Sequence, residues 1–332
     1  MKILFLHLSD LHIKNDDAYN EFQIKKLVDT LQIATPFDEI IIIFSGDIAF
    51  CGMKNQYNVA DKIINTIYLY LKNQNIYNGE KNIICVPGNH DIVYENPPRN
   101  SNDLNQIFKD FTYRKYINPE LEKQNYFFEF AQKYNCFIKN KLFCQKIFSF
   151  NNFKIEANLL NTGVFSLKNE EDKGLHYIEQ ADINKINIPT ESDFVISIMH
   201  HSYDWYIDSQ KEQLEKALLC KSSLLFLGHE HKIGTKQNSY NDNKAVFIHA
   251  GGALCENDDW SLSEFEFGVF DTEFYNYSIY QHKWDSSENQ YCCIKSFTQK
   301  LPHKPSKEKQ LTIREEYKTK LLLDPFHEWT NN

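Results

Sequence analysis

The stretch Val86-Pro87-Gly88-Asn89-His90-Asp91, directly after the apolar run Ile83-Ile84-Cys85, decides how the rest of the chain is interpreted. A buried strand that ends in a Pro-Gly turn and then presents an amide, an imidazole and a carboxylate is typical of a functional site. Asn89 is a candidate oxygen ligand for a metal, His90 is a candidate acid or base, and Asp91 could hold the imidazole ring. A polar loop that only caps the strand is the alternative. Four other strand ends carry matching chemistry, which favours a functional site.

Length and composition are those of a globular protein with a sizeable core. The chain has 332 residues, of which 42% are hydrophobic and 24% charged, and these fractions are near globular averages. The net charge of −9 argues against a tight, nonspecific grip on nucleic acid, because phosphate contacts need a basic surface. A local basic groove stays open, and an acidic balance also arises when carboxylates are collected to hold divalent cations.

Cysteine spacing and hydropathy indicate the compartment. The eight cysteines form no CxxC pair, which argues against a zinc ribbon and a disulfide framework. The N-terminus becomes polar too soon for a signal peptide, and no apolar run reaches membrane-spanning length. We therefore expect a soluble cytoplasmic protein with reduced thiols and no membrane partner.

The first ninety residues alternate between apolar strands and amphipathic helices. The predicted order is strand, helix, strand, helix, strand, at residues 2–8, 18–34, 40–44, 56–73 and 83–85. The run Ile40-Ile41-Ile42-Ile43-Phe44 shows no polar alternation, as expected of a strand that is covered on both faces. This order predicts a largely parallel sheet with helices on its faces, in which ligands bind beyond the carboxyl ends of the strands.

The ends of the first two strands carry carboxylates. Asp10 and His12 follow the first strand two residues apart, and both can turn toward one point if the backbone kinks there. An aspartate cap with an incidental histidine is the alternative. After the second strand, Gly46 permits a tight backbone and Asp47 projects from the strand tip. Because a carboxylate has two oxygens to share, Asp47 could bridge two cations.

Histidines follow two later strands. His200 and His201 end an apolar run, which favours a ligand role over a surface pair. Because successive side chains of a strand point in opposite directions, only one of them is expected to face the site. His229 and His231 can face the same pocket, while Glu230 points elsewhere or supports one ring. Zinc-finger spacing does not fit, since no cysteine pair accompanies these histidines.

The remaining segments predict a second sheet, an insert and a tail. Strands are predicted at 153–160, 193–199, 224–227, 245–250 and within 265–280, with a short helix at 177–186. The last two strand regions are expected to close a second sheet. Residues 92–150 are predicted to be an insert rather than a sheet element, either a substrate-shaping cap or a structural helical insert. From about residue 298 the composition predicts a tail, a linker or a peripheral helix.

Seven candidate ligands therefore come from five strand ends: Asp10, His12, Asp47, Asn89, His200, His229 and His231. This number suits two cations that share one carboxylate better than a single tetrahedral site. The mixture of oxygen and imidazole nitrogen favours Mn, Fe, Zn, Co or Ni over Mg or Ca. The absence of thiolate argues against a purely structural zinc.

The motif series resembles the calcineurin-like metallophosphoesterase superfamily. Asp-x-His, Gly-Asp, Gly-Asn-His-Asp, His and Gly-His-x-His follow one another in this order, over roughly residues 1–285 with the insert excluded. The resemblance implies an α/β fold, a four-layer α/β/β/α sandwich of two mixed sheets flanked by helices, here with a helical insert. It implies a metallophosphoesterase domain at 1–297, with the insert or cap at about 92–150, followed by a tail or linker at 298–332.

The resemblance also implies the roles of the site residues. One metal would be held by Asp10, His12, Asp47 and His231, and the other by Asp47, Asn89, His200 and His229. His90 would lie near the leaving group, with Asp91 orienting it. The metals would be two divalent or trivalent transition-metal ions, with manganese as the first choice and Fe, Zn, Co or Ni as alternatives.

Two positions depart from the pattern of the superfamily. Many members carry an acidic or basic residue three positions after the bridging aspartate, where this chain has Phe50. The proline that often follows the second histidine of the pair is replaced by Ser202. Neither change removes a predicted metal ligand.

The activity implied is hydrolysis of a phosphodiester of nucleotide or nucleic-acid type. A hydroxide bridging the two metals would attack phosphorus, and His90 would donate a proton to the leaving oxygen or bind the phosphate as a cation. A DNA or RNA nuclease that acts as the effector of a larger assembly is one alternative, supported by the basic stretch Lys304–Lys309 and the aromatics of the insert. A catalytically silent binding scaffold is another. Residues 310–332, with Leu321-Leu322-Leu323-Asp324-Pro325, could lead to a protein partner or a further domain.

Overall fold

The computed structural model describes residues 1–95, 99–109, 113–168, 172–188, 190–239, 245–255 and 259–302. Within these residues the strands are β1 (Lys2–Leu8), β2 (Glu39–Phe44), β3 (Asn82–Cys85), β4 (Phe143–Phe150), β5 (Phe153–Leu160), β6 (Phe194–Met199), β7 (Leu224–Leu227), β8 (Gly234–Ser239), β9 (Ala245–Ala250), β10 (Glu264–Asp271), β11 (Asn276–Asp285) and β12 (Gln290–Lys300). The α-helices are α1 (Glu21–Thr30), α2 (Lys54–Asn73), α3 (Ser101–Lys109), α4 (Tyr113–Glu122), α5 (Asn125–Lys133), α6 (Gln180–Asn187) and α7 (Asp208–Lys221).

The first sheet has the order β12-β11-β10-β1-β2-β3 and is mixed. β1, β2 and β3 run parallel, whereas β10, β11 and β12 continue the sheet from β1 in antiparallel order. β1 and β2 are almost wholly buried, as expected for strands that are covered on both faces. The alternation of strands and helices predicted for the first ninety residues is confirmed.

The second sheet has the order β4-β5-β6-β7-β9-β8. Its four central strands run parallel, and β4 and β8 are antiparallel at its two edges. On its inner face, Phe194 and Phe226 lie 6.3 and 6.2 Å from the ring of Phe5 in the first sheet. On its outer face, residues such as Met199 and Leu225 form one buried cluster with α6 and α7. With α1 and α2 packed on the first sheet, the predicted fold of two mixed sheets flanked by helices is confirmed.

The strand partners of residues 265–280 differ from the prediction. β9 lies in the second sheet as expected, but β10 and β11 belong to the first sheet, where β10 pairs with β1. An alternation of apolar residues predicts a strand but not its neighbour. Here the chain crosses back to the first sheet after β9, and no local signal marks that crossing.

The segment 92–150 combines three helices with one strand. α3, α4 and α5 lie within it, but Phe143–Phe150 forms β4, the partner of β5 at the edge of the second sheet. The expectation that this segment contains no sheet element is therefore wrong for its last eight residues. Asn151, with φ of 52°, opens the turn between the two strands, because asparagine tolerates the left-handed backbone that such turns need.

The first sheet also extends beyond the predicted start of the tail. β12 continues to Lys300 and is exposed along most of its length, so its polar composition resembles that of a tail. The basic stretch Lys304–Lys309 and residues 310–332 lie outside the described residues. Among the helices that the structure describes, none combines the length and the apolar character needed to cross a membrane.

Candidate metal centre

The loops after five strands bring polar side chains to one edge of the two sheets. The seven predicted ligands follow β1, β2, β3, β6 and β7 in turn, as Asp10 and His12, Asp47, Asn89, His200, and His229 and His231. The carbonyl oxygen of Ser45 accepts a hydrogen bond from Nδ1 of His200 at 2.8 Å. This bond joins the loops of the second sheet to those of the first, and it leaves Nε2 of His200 as the candidate ligand atom.

Four of the seven form one donor group. One ligand atom from each of Asp10, His12, Asp47 and His231 lies within 4.8 Å of the others. The Nε2 atoms of His12 and His231 are 3.1 Å apart, and Nε2 of His231 lies 3.2 Å from Oδ1 of Asp10. Nε2 of His12 is 3.9 Å from a carboxylate oxygen of both aspartates. Imidazole nitrogens and carboxylate oxygens thus converge on a single point.

A second donor group centres on Asn89. Its Oδ1 lies 3.1 Å from Nε2 of His200 and 3.1 Å from Nδ1 of His229. Oδ2 of Asp47 is 3.2 Å from Nε2 of His200 and 3.9 Å from Nε2 of His12. Asp47 is therefore the carboxylate that the two groups share.

The backbone at these residues is strained. Five of the seven have φ in the left-handed region, at 52° for Asp10, 44° for His12, 50° for Asp47, 74° for His229 and 53° for His231. Residues with a side chain rarely adopt this conformation, which costs on the order of 1–3 kcal/mol each and occurs mostly at functional sites. Asp10 and His12 are held by main-chain hydrogen bonds to the loop after β2. The N–H of Asp10 donates to the carbonyl oxygen of Gly46, and the N–H of His12 donates to that of Asp47.

Two glycines allow the loops to approach. Gly46 has φ of 108°, and a Cβ there would overlap Nδ1 of His200. A Cβ on Gly88 would overlap Oδ1 of Asp47. Both positions therefore require glycine for a close approach rather than for a turn alone.

The electrostatics of the group keep the aspartates ionised. Burial raises the pKa of Asp47, but His200 and His12 outweigh this and hold that pKa far below its ordinary value. Burial lowers the pKa of His200, but the Asp47 carboxylate reverses this and raises it to about 9. Burial and the neighbouring His200 lower the pKa of His229 to about 4. A metal at the second group would therefore displace a proton from His200.

The donor set fits transition-metal ions. Two neutral imidazole nitrogens 3.1 Å apart, such as those of His12 and His231, cannot both present lone pairs without a cation or a proton between them. Nitrogen and oxygen donors in nearly equal number, with no thiolate, suit Mn, Fe, Zn, Co or Ni. The identity of the metal stays a prediction.

His90 lies beside these groups rather than within them. Its backbone N–H donates to Oδ1 of Asp47 at 2.7 Å, and its Nδ1 lies 2.9 Å from the carbonyl oxygen of Phe50. Its ring is 4.5 Å from that of His12 and partly exposed. This position suits the predicted role of a residue that contacts substrate without binding metal.

Asp91 occupies a different place from the one predicted. Its carboxylate is fully buried and accepts hydrogen bonds from the backbone N–H of Ile48, Ala49 and Gly88 and from the hydroxyl of Tyr57. The Nδ1 of His90 is held by the Phe50 carbonyl instead. Asp91 therefore ties the second and third strand loops together and does not orient the His90 ring. The reason is that its side chain turns into the protein, while that of His90 turns toward the solvent.

His201 also differs from the prediction that only one histidine of the pair faces the site. One ring nitrogen of His201 lies within 4.8 Å of one ring nitrogen of His200 and one of His229. Both histidines lie beyond the end of β6, so the alternation of side chains along a strand does not apply to them. Nδ1 of His201 is 3.1 Å from the carbonyl oxygen of Thr162, and its buried Nε2 has no hydrogen-bond partner among the described residues.

Thr162 belongs to a strand-end loop that lies outside the five predicted to form the site. Its carbonyl oxygen also lies 2.9 Å from Nδ1 of His176, whose Nε2 is 3.4 Å from Asp172. The run Asn161-Thr162-Gly163 directly follows β5, so it carries the same signal as the other loops: polar residues and a glycine at a strand end. Glu230 is exposed and takes no part in either group.

Two mixed sheets flanked by helices, with two donor groups at the carboxyl ends of their parallel strands, define an α/β protein with a candidate metal centre. The model of the calcineurin-like phosphoesterase family matches residues 3–233. The chain therefore belongs to the calcineurin-like phosphoesterase family.

Solved structures of similar fold are distant in sequence. The NAD nucleotidase (NadN) of Haemophilus influenzae is 11% identical with a TM-score of 0.46, and the match covers 96% of this chain but 60% of the nucleotidase. The calcineurin-like phosphoesterase YfkN of Bacillus subtilis is 11% identical with a TM-score of 0.40, covering 96% and 97%. The Vps29 of Entamoeba histolytica complexed with Zn²⁺ is 12% identical with a TM-score of 0.38, covering 89% and 98%. The chain thus spans less than two thirds of the nucleotidase. No curated protein matches the chain.

Proposed function

We propose that the protein hydrolyses a phosphodiester with the help of two transition-metal ions held by the two donor groups. The observation that carries this proposal is the position of Asp47. One of its oxygens lies 3.2 Å from His200 and 3.9 Å from His12, so a single carboxylate reaches both groups. A centre of this kind is what phosphoryl transfer with two metals requires.

The proposed ligands form two sets that share Asp47. The first ion would be held by Asp10, His12, Asp47 and His231, and the second by Asp47, Asn89, His200 and His229, with manganese as the proposed metal. When bound, such a pair of ions acidifies water and stabilises the charge that develops at phosphorus. The buried carboxylates and the strained loops fix the donor atoms before substrate arrives.

His90 is the proposed proton donor to the leaving oxygen. Because the Phe50 carbonyl can only accept, the 2.9 Å contact assigns a proton to Nδ1 of His90. Nε2 is then the ring atom that gains or loses a proton during the reaction. The hydrogen bond from the backbone N–H of His90 to Oδ1 of Asp47 keeps the imidazole ring beside the shared carboxylate.

Substitution of His90 and Asp47 separates proton transfer from metal binding. We expect His90→Ala to retain manganese and to lose about 10²- to 10⁴-fold of the turnover, the usual contribution of a general acid. Asp47→Ala should lose both manganese binding and turnover, because it removes the carboxylate that the two donor groups share. Metal content after loading and desalting, together with hydrolysis of bis(4-nitrophenyl) phosphate, gives the two readouts.

The control is Glu230→Gln, an exposed position between two predicted ligands, which should leave both readouts unchanged. A wild-type turnover in either active-site variant, or loss of manganese from His90→Ala, would contradict these assignments.

The substrate class is the finer part of the proposal. A panel of a bis-ester, a monoester, a cyclic nucleotide, single-stranded and duplex nucleic acid compares the candidate substrates directly. A steep fall of substrate affinity with salt concentration would favour the nuclease alternative, because polyanions release counterions on binding. The net charge of −9 leads us to expect a shallow dependence. A silent scaffold is disfavoured because none of the seven ligand positions has lost its donor.

A further inference from the structure

A buried polar cluster lies between the two sheets, behind the first donor group. In the first sheet, Glu266 of β10 is paired in register with His7 of β1 on one side and with Gln281 of β11 on the other. In the second sheet, Thr235 of β8 and His249 of β9 are a cross-strand pair. The two sets of side chains meet across the interior of the sandwich.

Glu266 is the centre of this cluster. Its Oε1 lies 2.6 Å from Nδ1 of His249 and 3.3 Å from Nδ1 of His7. Its Oε2 accepts hydrogen bonds from the hydroxyl of Thr235 at 3.1 Å and from Nε2 of Gln281 at 3.2 Å. Burial raises the pKa of Glu266, but His249 and His7 outweigh this and lower it to about 2. A carboxylate with 1% exposure is thus kept ionised by four partners.

A chain of hydrogen bonds leads from this carboxylate to Asp10. Nε2 of His7 lies 2.8 Å from Oγ of Ser45, and the hydroxyl of Ser45 donates to Oγ of Ser9 at 2.8 Å. The hydroxyl of Ser9 donates to Oδ2 of Asp10. All four side chains are at most 1% exposed, so no solvent competes with these bonds.

The chain has a direction because each serine hydroxyl carries one proton. Ser9 uses its proton on Asp10, so it must accept from Ser45, and Ser45 must in turn accept from Nε2–H of His7. His7 then turns Nδ1 toward Glu266. The 3.3 Å contact between Nδ1 of His7 and Oε1 of Glu266 orients the His7 ring so that Nε2 faces Ser45.

The chain gives the two oxygens of Asp10 different environments. Oδ2 is occupied by the Ser9 hydroxyl and by the backbone N–H of His229 at 3.2 Å. Oδ1 is the oxygen that lies toward His231, at 3.2 Å from its Nε2. The hydrogen bonds to Oδ2 therefore fix the rotamer of Asp10. They leave Oδ1 as the oxygen that faces the first donor group.

We propose that Glu266 is a positioning residue for the metal centre, which acts through His7, Ser45 and Ser9 to aim Oδ1 of Asp10 at the first donor group. The inference rests on the proposed function, since it assigns Glu266 a role in metal binding. Partners behind a metal ligand usually change metal affinity by 10- to 100-fold when they are removed.

The test measures Mn²⁺ affinity of the full chain, by electron paramagnetic resonance of free Mn²⁺, independently of any substrate. Glu266→Gln should weaken binding about tenfold or more. The matched control is Glu156→Gln, because Glu156 is equally buried, at 0% exposure, but bonds to Gln145 and Ser192 away from the donor groups. Glu156→Gln should bind Mn²⁺ as the wild type does.

A second variant, Ser45→Ala, breaks the chain in its middle and keeps the backbone carbonyl that holds His200. It should weaken Mn²⁺ binding to a similar extent, and the double variant Glu266→Gln/Ser45→Ala should bind no more weakly than the weaker single variant, because both interrupt one chain. Unchanged affinity in Glu266→Gln, or independent effects that multiply in the double variant, would overturn the inference.

If Glu266→Gln does not fold, Ser45→Ala decides alone: weakened Mn²⁺ binding supports the inference and unchanged binding overturns it. A wild-type chain that binds neither Mn²⁺ nor Zn²⁺ would overturn the proposed function, and this inference with it. If the wild type binds Mn²⁺ and Glu266→Gln binds it equally well, only the inference about Glu266 is overturned and the proposed function stands.

Discussion

At the candidate metal centre, two residues of the loop after β3 contact the carboxylate of Asp47. The backbone N–H of His90 donates to Oδ1 of Asp47 at 2.7 Å, and a Cβ at Gly88 would overlap the same oxygen. Oδ2 is left to face His200 and His12. Asp47 is thus arranged like Asp10, with one oxygen held by the protein and the other offered to the donor group.

We expect Gly88→Ala to weaken Mn²⁺ binding about tenfold or more, because the added methyl group must displace the shared carboxylate. Equilibrium titration with Mn²⁺ measures the effect. Gly234→Ala is the matched control, since a Cβ at Gly234 meets no atom within 4 Å among the described residues. Equal affinities for the two variants would show that the approach of Gly88 to Asp47 is not required.

Residue types at strand ends were sufficient to predict that the seven candidate ligands meet at one place, because parallel strands deliver their carboxyl ends to one edge. Residue types were not sufficient to predict the direction in which a side chain within a loop points. Asp91 follows His90 directly, yet its carboxylate turns inward to Tyr57. His201 joins the histidine group although strand alternation argued against it. Loop direction depends on backbone angles such as the left-handed φ at the ligands, which residue types alone do not specify.

Among the strands, β11 contains a histidine held in an apolar layer. The ring of His282 stacks at 5.2 Å on Phe265 and at 5.3 Å on Phe267, and the side chain is 3% exposed. The register between β11 and β12 shifts at Gln281 and His282. Burial lowers the pKa of His282 to about 4, against a backbone hydrogen bond of Tyr280 that raises it.

His282 should make the stability of the fold depend on pH. Its folded pKa lies below the unfolded value, so below about pH 6.5 the unfolded chain binds the proton more readily. Stability should therefore fall as the pH drops from about 6.5 toward 4, by up to about 3 kcal/mol at 1.36 kcal/mol per pKa unit. Urea unfolding at several pH values measures this for the wild type and for His282→Phe. A variant with the same slope as the wild type across this range would contradict the assignment.

Elements with an apolar run were predictable, and elements with polar faces were not. Residues 40–44 of β2 are a continuous buried apolar run, and β6 is buried throughout and apolar except for Ser197. β8, β12 and α7 were not predicted. In α7, Leu214, Ala217 and Leu218 have helical spacing and are buried, but the residues between them are mainly polar because only one face contacts the second sheet.

At the scale of the whole molecule, the insert is continuous with the main core. Phe127, Phe128 and Phe130 of α5 are buried in the same cluster as the residues of β1 and β2. The ring of Phe130 stacks at 5.5 Å on Tyr57 of α2. The cap hypothesis for residues 92–150 stays a prediction, but α5 contributes to the core as a structural helix does.

Phe127→Ala should destabilise the protein by about 3–5 kcal/mol, the usual effect of removing a buried aromatic side chain. Tyr126→Ala, next to it but 37% exposed, should change the free energy of unfolding by less than about 0.5 kcal/mol. Urea unfolding of both variants gives the comparison. A similar small loss for both would place α5 outside the core.

The overall architecture could be anticipated only in part from the residues themselves. The alternation of strands and helices predicted the parallel half of the first sheet, and the motif series implied two mixed sheets. The pairing of β10 with β1 could not be predicted, because the two strands lie at opposite ends of the domain in sequence. Long-range partners are decided by the packing of the whole chain rather than by local pattern.

This pairing has a consequence for how the protein is made. β1 is synthesised long before β10, so one of its edges stays unpaired until Glu264–Asp271 has been translated. The growing chain therefore carries an apolar strand, Ile3-Leu4-Phe5-Leu6, with an open edge that can pair with other chains. Co-expressed chaperones that protect the nascent chain should therefore raise the yield of soluble protein.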